Sequence, residues 1–291
     1  MKTREIAPAK INLYLDILGK RNDGFHDIET LMQSITLSDF IEIEYFDDGL
    51  AEVSLSIIGC DDILADESNL VIRAVRAFQS RIPFNGSLSI TLEKNIPVSA
   101  GLAGGSSDAA ATLRALNKIF NNPLSLAELC DIASNLGSDV SFCLLGGTAL
   151  CYGRGEKLIP LKNLAQLYLV IVKTKESVST SEAYKLLDET YGDFKLPRFE
   201  DGREEILGKI KNGNVDQLYN IFQTPIFSKC AGAKKAMEKL YSLGAKTALM
   251  SGSGPTVFGI FESKLSAENV IFAMKDDVDF ICYAESKNAI L

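Results

Sequence analysis

The stretch Ile96–Asp108, I-P-V-S-A-G-L-A-G-G-S-S-D, holds the residue types a chain uses to bind phosphate. Gly101, Gly104 and Gly105 reach backbone conformations closed to other residues, so several amide N–H groups can converge on one point. Ser99, Ser106 and Ser107 add hydroxyls, and the small residues Ala109–Ala111 let a following helix lie close to a sheet. At the start of that helix the unpaired amides and the dipole favour an anion. A glycine cluster by itself can be only a turn, but this one is longer than an economical strand-to-helix turn. No Lys-Ser or Lys-Thr follows its last glycine and the G-x-G-x-x-G spacing is absent. The two commonest phosphate motifs are therefore excluded, and a nucleotide site of another kind is implied.

Other chemistry-bearing groups lie far from this loop in sequence. Lys10 and Asn12 share one face of an alternating segment, where alternation alone makes the lysine a solvated strand residue. Asp139 follows a helix as part of Ser138-Asp139, a pair that by itself reads as an N-cap or a turn. The turn G-K-R-N-D-G at Gly19–Gly24 presents Phe25 and His26, the latter being the only histidine of the chain.

Composition bounds what these groups can serve. At 291 residues and 46% hydrophobic content the chain can bury a substantial core in one large domain or two, and disorder is excluded. A net charge of −8 with both signs mixed along the chain disfavours nucleic acid. An acidic protein that binds phosphates must make its positive field locally, from a few lysines, amides and a bound divalent cation. Six cysteines without a C-x-x-C pair and a single histidine exclude a Cys/His metal site. They read as reduced core residues of a cytoplasmic protein. The longest apolar run, Tyr168–Val172, cannot cross a bilayer, so a soluble, untargeted protein is expected, with no membrane partner.

Elements must position these groups. Alternation predicts strands over Ile6–Leu18 with one buried face, over Ile28–Leu37, Ile41–Phe46 and Val53–Ile57, and at Leu88–Leu92. Ser68 is the expected cap of a helix through Val71, Val75 and Phe78; a helix is expected over Ala109–Asn117, and Ser125 caps another over Leu126–Leu136 that ends at Gly137. After a strand at Thr148–Tyr152 and the turn Gly153–Glu156, Leu158–Leu164 is the expected seam, dividing the chain into domains 1–160 and 161–291. The second half predicts a strand at Leu167–Val172 and helices over Thr180–Tyr191, Glu204–Lys211, Val215–Phe222 and Cys230–Leu243. Strands at Thr247–Met250 and Val257–Phe261 flank a second glycine-rich loop, Ser251–Thr256, and a helix over Ala267–Lys275 and a strand at Phe280–Ala284 complete an α+β arrangement. That loop is either a tight hairpin or a close backbone approach to a ligand or to the first loop.

P-A-K-I-N-L at Pro8–Leu13, P-V-S-A-G-L-A-G-G-S-S-D at Pro97–Asp108 and S-G-S-G-P-T at Ser251–Thr256 together resemble the three motifs of the GHMP small-molecule kinases. G-K-R-N-D-G-F-H at Gly19–His26 and G-S-D-V-S-F at Gly137–Phe142 resemble the branch of that superfamily in the non-mevalonate route to isoprenoid precursors. The resemblance runs over nearly the whole chain. It implies a two-domain α+β fold: an N-terminal α/β domain with a left-handed β-α-β unit, a C-terminal ferredoxin-like domain, and the active site in the cleft between them. It also implies ATP-dependent phosphorylation of the 2-hydroxyl of a methylerythritol that carries a cytidine diphosphate head, with Mg²⁺.

By position in the motifs, the resemblance makes Lys10 and Asp139 the catalytic pair. Pro97, Val98, Ser99, Ala100, Gly101, Leu102, Ala103, Gly104, Gly105, Ser106 and Ser107 become the ATP-phosphate loop, with Asn69 and Lys94 near the nucleotide base. Asn12, Phe25, His26, Tyr184, Gly252, Ser253 and Gly254 fall on the substrate side, with Phe25 and Tyr184 expected on the two faces of the cytosine and His26 at its edge. Mg²⁺ is expected to be held mainly through ATP, with Ser107 as the candidate direct ligand, in a monomer or weak homodimer. Ala103 stands where many members have glycine, which fits a negative φ, and Phe25 stands where tyrosine is frequent. Two alternatives are another small-alcohol kinase, such as a homoserine kinase, which would not need the Phe25-His26 turn, and a non-catalytic ligand sensor. A sensor should have lost Lys10, Asp139 or the loop serines, all of which are present.

Overall fold

A computed structural model describes residues 1–162, 165–192, 208, 214–215 and 218–290. Its first half is organised on two long antiparallel strands, β1 (Lys2–Lys20) and β2 (His26–Phe46), joined by the predicted turn. The segments expected as separate strands at Ile28–Leu37 and Ile41–Phe46 are one strand. The register shifts between Pro8 and Lys10, where the proline has no N–H for the ladder.

With β3 (Val53–Ile58), β4 (Ser87–Glu93), β5 (Thr148–Gly153), β6 (Lys157–Leu161) and the two-residue β8 (Tyr219–Asn220), these form a seven-stranded sheet among the described residues. Its main path is β3-β4-β2-β1-β8, with β5 on β2 and β6 on β5. β3 and β4 are parallel neighbours across helix α1 (Leu70–Arg81), a β-α-β unit. α1 is capped by Asn69, whose side chain accepts the Val71 N–H at 2.9 Å, rather than by Ser68, whose hydroxyl bonds Asp66. Helix α2 (Gly104–Ile119) starts before the expected Ala109, directly on the glycines. α3 (Leu126–Leu136) has the predicted limits, with a Ser125–Glu128 capping box and Gly137 at its end. A short α4 (Val140–Leu145) follows Asp139, and β6 occupies part of the expected seam, leaving residues 162–167 between the sheets.

The second sheet orders β11 (Phe280–Glu285), β7 (Tyr168–Lys173), β10 (Val257–Phe261) and β9 (Thr247–Met250), all antiparallel. Helices α5 (Thr180–Tyr191), α6 (Gln223–Lys229), α7 (Ala231–Ser242) and α8 (Lys264–Met274) complete a β-α-β-β-α-β, ferredoxin-like pattern. The helix expected over Glu204–Lys211 lies, apart from residue 208, outside the described residues. The one expected over Val215–Phe222 is not formed at its end: Tyr219 and Asn220 pair in parallel with Tyr14 and Leu15 of β1, and the helix begins only at Gln223. Its apolar spacing serves two different cores, since Val215 packs with Leu13 while Ile221 and Phe222 pack with Leu15.

Residues of both sheets share these cores: Ile11, Leu13 and Leu31 of the first pack with Leu169, Ile171 and Phe258 of the second. Isolated bridges Ile35–Ser286 and Gly146–Ala289 bring the last residues back onto the first sheet. β1 therefore has no solvated face over most of its length, contrary to the alternation reading. Lys10 is only 4% exposed and Asn12 only 2%, so both polar groups require partners.

Candidate active site

Lys10 finds two side-chain partners. Its ammonium donates to Asn12 Oδ1 at 2.7 Å, and Asn12 Nδ2 donates to Thr30 Oγ1 at 2.7 Å on the neighbouring strand. Thr30 in turn donates to the Tyr14 carbonyl at 2.6 Å, which fixes the amide orientation of Asn12. The second partner is Asp139, whose Oδ2 lies 3.5 Å from Lys10 Nζ. Asp139 occupies the N-cap position of α4 but makes no capping bond, so its carboxylate is turned to the lysine and to an adjoining cavity. The carboxylate is more open than its partner, with 28% of the side chain exposed against 5% for Lys10. Below it, burial and then the Asp139 charge push the Cys143 thiol up to about 12, so this cysteine is an inert filler. All six cysteines are free thiols; Cys60, Cys130 and Cys282 are half-buried rather than core residues.

The cavity has a volume of about 1260 Å³ and runs from the glycine loop past Lys10 and Asp139 to the Phe25-His26 turn. At the first end, Ser99, Gly101 and Ala103 have φ of 52°, 70° and 58°, so the chain turns left-handed at every second residue. The expectation of a negative φ at Ala103 is therefore wrong: the residue takes the glycine conformation and bears its steric cost. Without a side-chain cap from Ala103, the first amides of α2 are open to a ligand. Gly104 is closely packed, since a Cβ there would lie 3.2 Å from both Lys94 Nζ and Ile96 Cγ2 and those side chains would have to give by a few tenths of an ångström. Gly105 is under no such pressure and is exposed.

The two glycine loops touch, as one branch of the sequence reading anticipates. A Cβ on Gly101 would sit 2.3 Å from the Ser251 carbonyl, and Ser251 Oγ donates to the Gly101 carbonyl at 3.1 Å. Asn220, on β8, holds the second loop by donating to the Met250 and Gly252 carbonyls at 2.7 and 2.8 Å. Lys10 is tied in through its own N–H, which donates to the Leu102 carbonyl at 3.1 Å.

Most sequence-selected residues line this cavity: Lys10, Asn12, Phe25, His26, Asn69, Lys94, residues 97–106, Asp139, Tyr184, Gly252 and Ser253. Ser107 and Gly254 do not. Ser107 is fully buried and its hydroxyl donates to the Pro8 carbonyl at 2.7 Å; Gly254 packs against Met250. Lys94 is not a free cation but sits between Asp39 and Asp108, 2.8 Å from the latter, while Asp39 Oδ1 accepts the Ile96 N–H at 2.8 Å. Burial, only partly offset by Lys94, raises the Asp108 carboxyl to about 8. The cluster anchors the loop to α2.

At the other end Phe25 is 54% exposed and His26 only 5%. His26 Nε2 is bonded to Asp188 Oδ1 at 2.8 Å, and the other oxygen of Asp188 accepts from Lys20 at 2.5 Å. Burial opposes the Asp188 charge, but the bonds from Lys20 and His26 hold its carboxyl below the ordinary range. Tyr184 stacks on the imidazole, with centroids 4.9 Å apart, and meets Phe222 edge-on at 4.9 Å. Tyr184 therefore backs the histidine in this structure while also lining the cavity. Burial and then Asp139 push its phenol up to about 12. Thr30, Asp188 and Arg154, whose guanidinium lies 5.0 Å from the Phe25 ring centroid, were not singled out from the sequence. Only Asp188 leaves a signal there, one helical turn beyond Tyr184 on the same face of α5.

With this geometry in view, comparison with known proteins is specific. Residues 69–147 match the model of the GHMP kinases N terminal domain, and residues 196–279 that of GHMP kinases C terminal. A 4-diphosphocytidyl-2-C-methyl-D-erythritol kinase of Clostridium botulinum (strain Eklund 17B / Type B) is 39% identical over 276 residues, covering 93% of this chain and 95% of the relative. One of Acaryochloris marina is 40% identical, covering 90% and 88%. A crystal structure of 4-(cytidine 5'-diphospho)-2C-methyl-D-erythritol kinase superposes with a TM-score of 0.82 at 30% identity, over 98% of this chain and 100% of the other. A homoserine kinase from Cytophaga hutchinsonii shares the fold at a TM-score of 0.73 and 20% identity, over 99% of this chain and 95% of the other. Matched by both family models and by relatives along nearly its whole length, the chain belongs to the GHMP kinases.

Proposed function

We propose that this enzyme transfers the γ-phosphate of ATP to the 2-hydroxyl of 4-diphosphocytidyl-2-C-methyl-D-erythritol, a step of the non-mevalonate route to isoprenoid precursors. The observation that carries the reading is the Lys10–Asp139 pair, 3.5 Å apart, in one cavity with an anion-binding helix start on one side and an exposed aromatic beside a fixed histidine on the other. The homoserine-kinase reading accounts for the pair and the loop but leaves the Phe25-His26 turn without a task.

The residues divide the work. The first amides of α2 and the flanking loop hold the ATP phosphates, with Asn69 and Lys94 beside the base end of that site. Asp139 accepts the proton of the substrate hydroxyl, and Lys10, itself fixed by Asn12, holds the carboxylate toward it. Phosphoryl transfer passes through a loose transition state, so the proton leaves late and an ordinary carboxylate suffices. Phe25 offers its face to the cytosine and His26 meets its edge. Among the described residues no cluster of three acidic, histidine or cysteine side chains could hold a metal. Mg²⁺ would be held through ATP, with the hydroxyl of the cavity-lining Ser106 available to it, since that of Ser107 is already engaged. When bound, it supplies neutralisation of the phosphate charge. The free thiols suit a reducing cytoplasm, and we take the enzyme as a monomer or weak homodimer.

The test is ADP release measured against small alcohols with and without a cytidine diphosphate head. Turnover only with the cytidyl-linked methylerythritol is expected; equal turnover of free methylerythritol or of homoserine would refute the base-recognition reading.

A further inference from the structure

The cations of the cavity wall are unequally available. Lys10 is paired with Asp139, Lys94 with Asp39 and Asp108, and Lys185 lies 3.8 Å from Glu189. Arg154 also lines the cavity, yet among the described residues its guanidinium has no carboxylate partner. Asp23, whose charge Arg154 stabilises at a distance, is bonded by Arg21 instead, and Glu156 bonds the Arg154 backbone N–H at 2.6 Å. The guanidinium lies over the Phe25 ring, its carbon 5.0 Å from the centroid, and among the described residues none of its five N–H donors makes a side-chain hydrogen bond.

The position of its turn matters as much as its charge. Gly153 pairs with Ile28 two residues past His26, and a Cβ on Gly155 would lie 3.8 Å from Ser138 Cβ, next to Asp139. Arg154 thus stands between the aromatic platform and the catalytic carboxylate. A substrate with its base at one and its hydroxyl at the other must lay its diphosphate across this turn.

Resting on the function proposed above, we propose that Arg154 binds the diphosphate of the nucleoside-diphosphate-linked substrate and makes the enzyme select the charged head rather than the base alone. A planar guanidinium pairs with phosphate oxygens through two donors at once. Among the described residues, no other cation of the cavity wall lacks a carboxylate within 4.0 Å.

Calorimetric titration of CDP and of cytidine, with the glycine loop saturated by a non-hydrolysable ATP analogue, separates the cases. The native enzyme should bind CDP more tightly than cytidine by at least about tenfold, or about 1.4 kcal/mol. Arg154→Gln should abolish most of that preference with cytidine affinity unchanged, and Arg154→Lys should restore part of it. In turnover, Arg154→Gln should raise KM for the cytidyl substrate with little change in kcat or in KM for ATP. Equal losses for CDP and cytidine would make Arg154 a prop for the Phe25 ring and overturn the assignment, as would an unchanged preference. A native enzyme that binds neither ligand overturns the cytidyl reading itself, and this assignment with it.

Discussion

Asp188 holds the only histidine through Nε2 while its second oxygen takes Lys20, so one carboxylate ties α5 to both ends of the β1–β2 turn. Its consequence is testable. Asp188→Leu removes the acceptor and should raise KM for the cytidyl substrate by about tenfold while kcat and KM for ATP stay close to native. Asp188→Asn, which keeps an oxygen acceptor, should recover part of the loss. Steady-state kinetics with each substrate varied in turn would read this, and a change confined to kcat would contradict the positioning role. The depressed Asp188 carboxyl also contributes stability that is present above the unfolded value and lost as pH falls through the folded one. At this scale the motif residues were legible because their types are unusual for their places: glycines and serines between strand and helix, an aromatic and a histidine after a turn. Asp188 and Arg154 were not, because an aspartate on a helix and an arginine in a turn are ordinary surface residues until the fold sets them beside His26 and Phe25.

Between elements, two contacts decide whether the glycine loop can hold a phosphate. Gly101 has φ of 70° and would place a Cβ 2.3 Å from the Ser251 carbonyl, so Gly101→Ala must push the two glycine loops apart. Titration with a non-hydrolysable ATP analogue should show affinity reduced by about tenfold or more, corresponding to 1.4 kcal/mol. Native affinity would mean that the loop contact does not shape the site. The second contact is the Asp39–Lys94–Asp108 cluster. The Asp108 carboxyl is raised, chiefly by burial, to about 8, so the folded chain binds more protons than the unfolded one between the ordinary aspartate value and 8. Stability must then decline as pH rises through that window, the reverse of the usual carboxylate. Urea unfolding of Asp108→Asn should lack this decline, and parallel pH dependence in native and variant would exclude it. Elements with a complete local signal were read to the residue, as with α3 between Ser125 and Gly137, or β9 and β10. The Val215–Phe222 segment misled because its apolar spacing matches a helix, whereas Tyr219 and Asn220 are drawn into pairing with β1. β6 was missed because its largely exposed, proline-containing sequence reads as a seam between domains.

Across the whole molecule, the apolar face of β1 packs on the second sheet while its other face is closed over by Asp139 and the two glycine loops, and that burial converts Lys10 from a surface lysine into half of a buried ion pair. Nothing in the alternation of residues 6–18 reveals this, since alternation distinguishes the two faces of a strand but not what covers the second. The seam is equally hidden: β8 and the last residues return to the first sheet, so the chain crosses between the two sheets more often than a composition change can register. What the fold accomplishes is to bring residues 10, 101, 139 and 252 to one cavity from four separate stretches. On the proposed mechanism, Asp139, held by Lys10, takes the substrate proton there. That role is tested most directly by comparing Asp139→Asn with the native enzyme under saturating ATP and cytidyl substrate, with ATP-analogue affinity measured on the same samples. A kcat lowered by about a hundredfold or more, the scale of a lost general base, is expected, with nucleotide affinity nearly unchanged. An Asp139→Asn enzyme that keeps the native kcat would contradict that role.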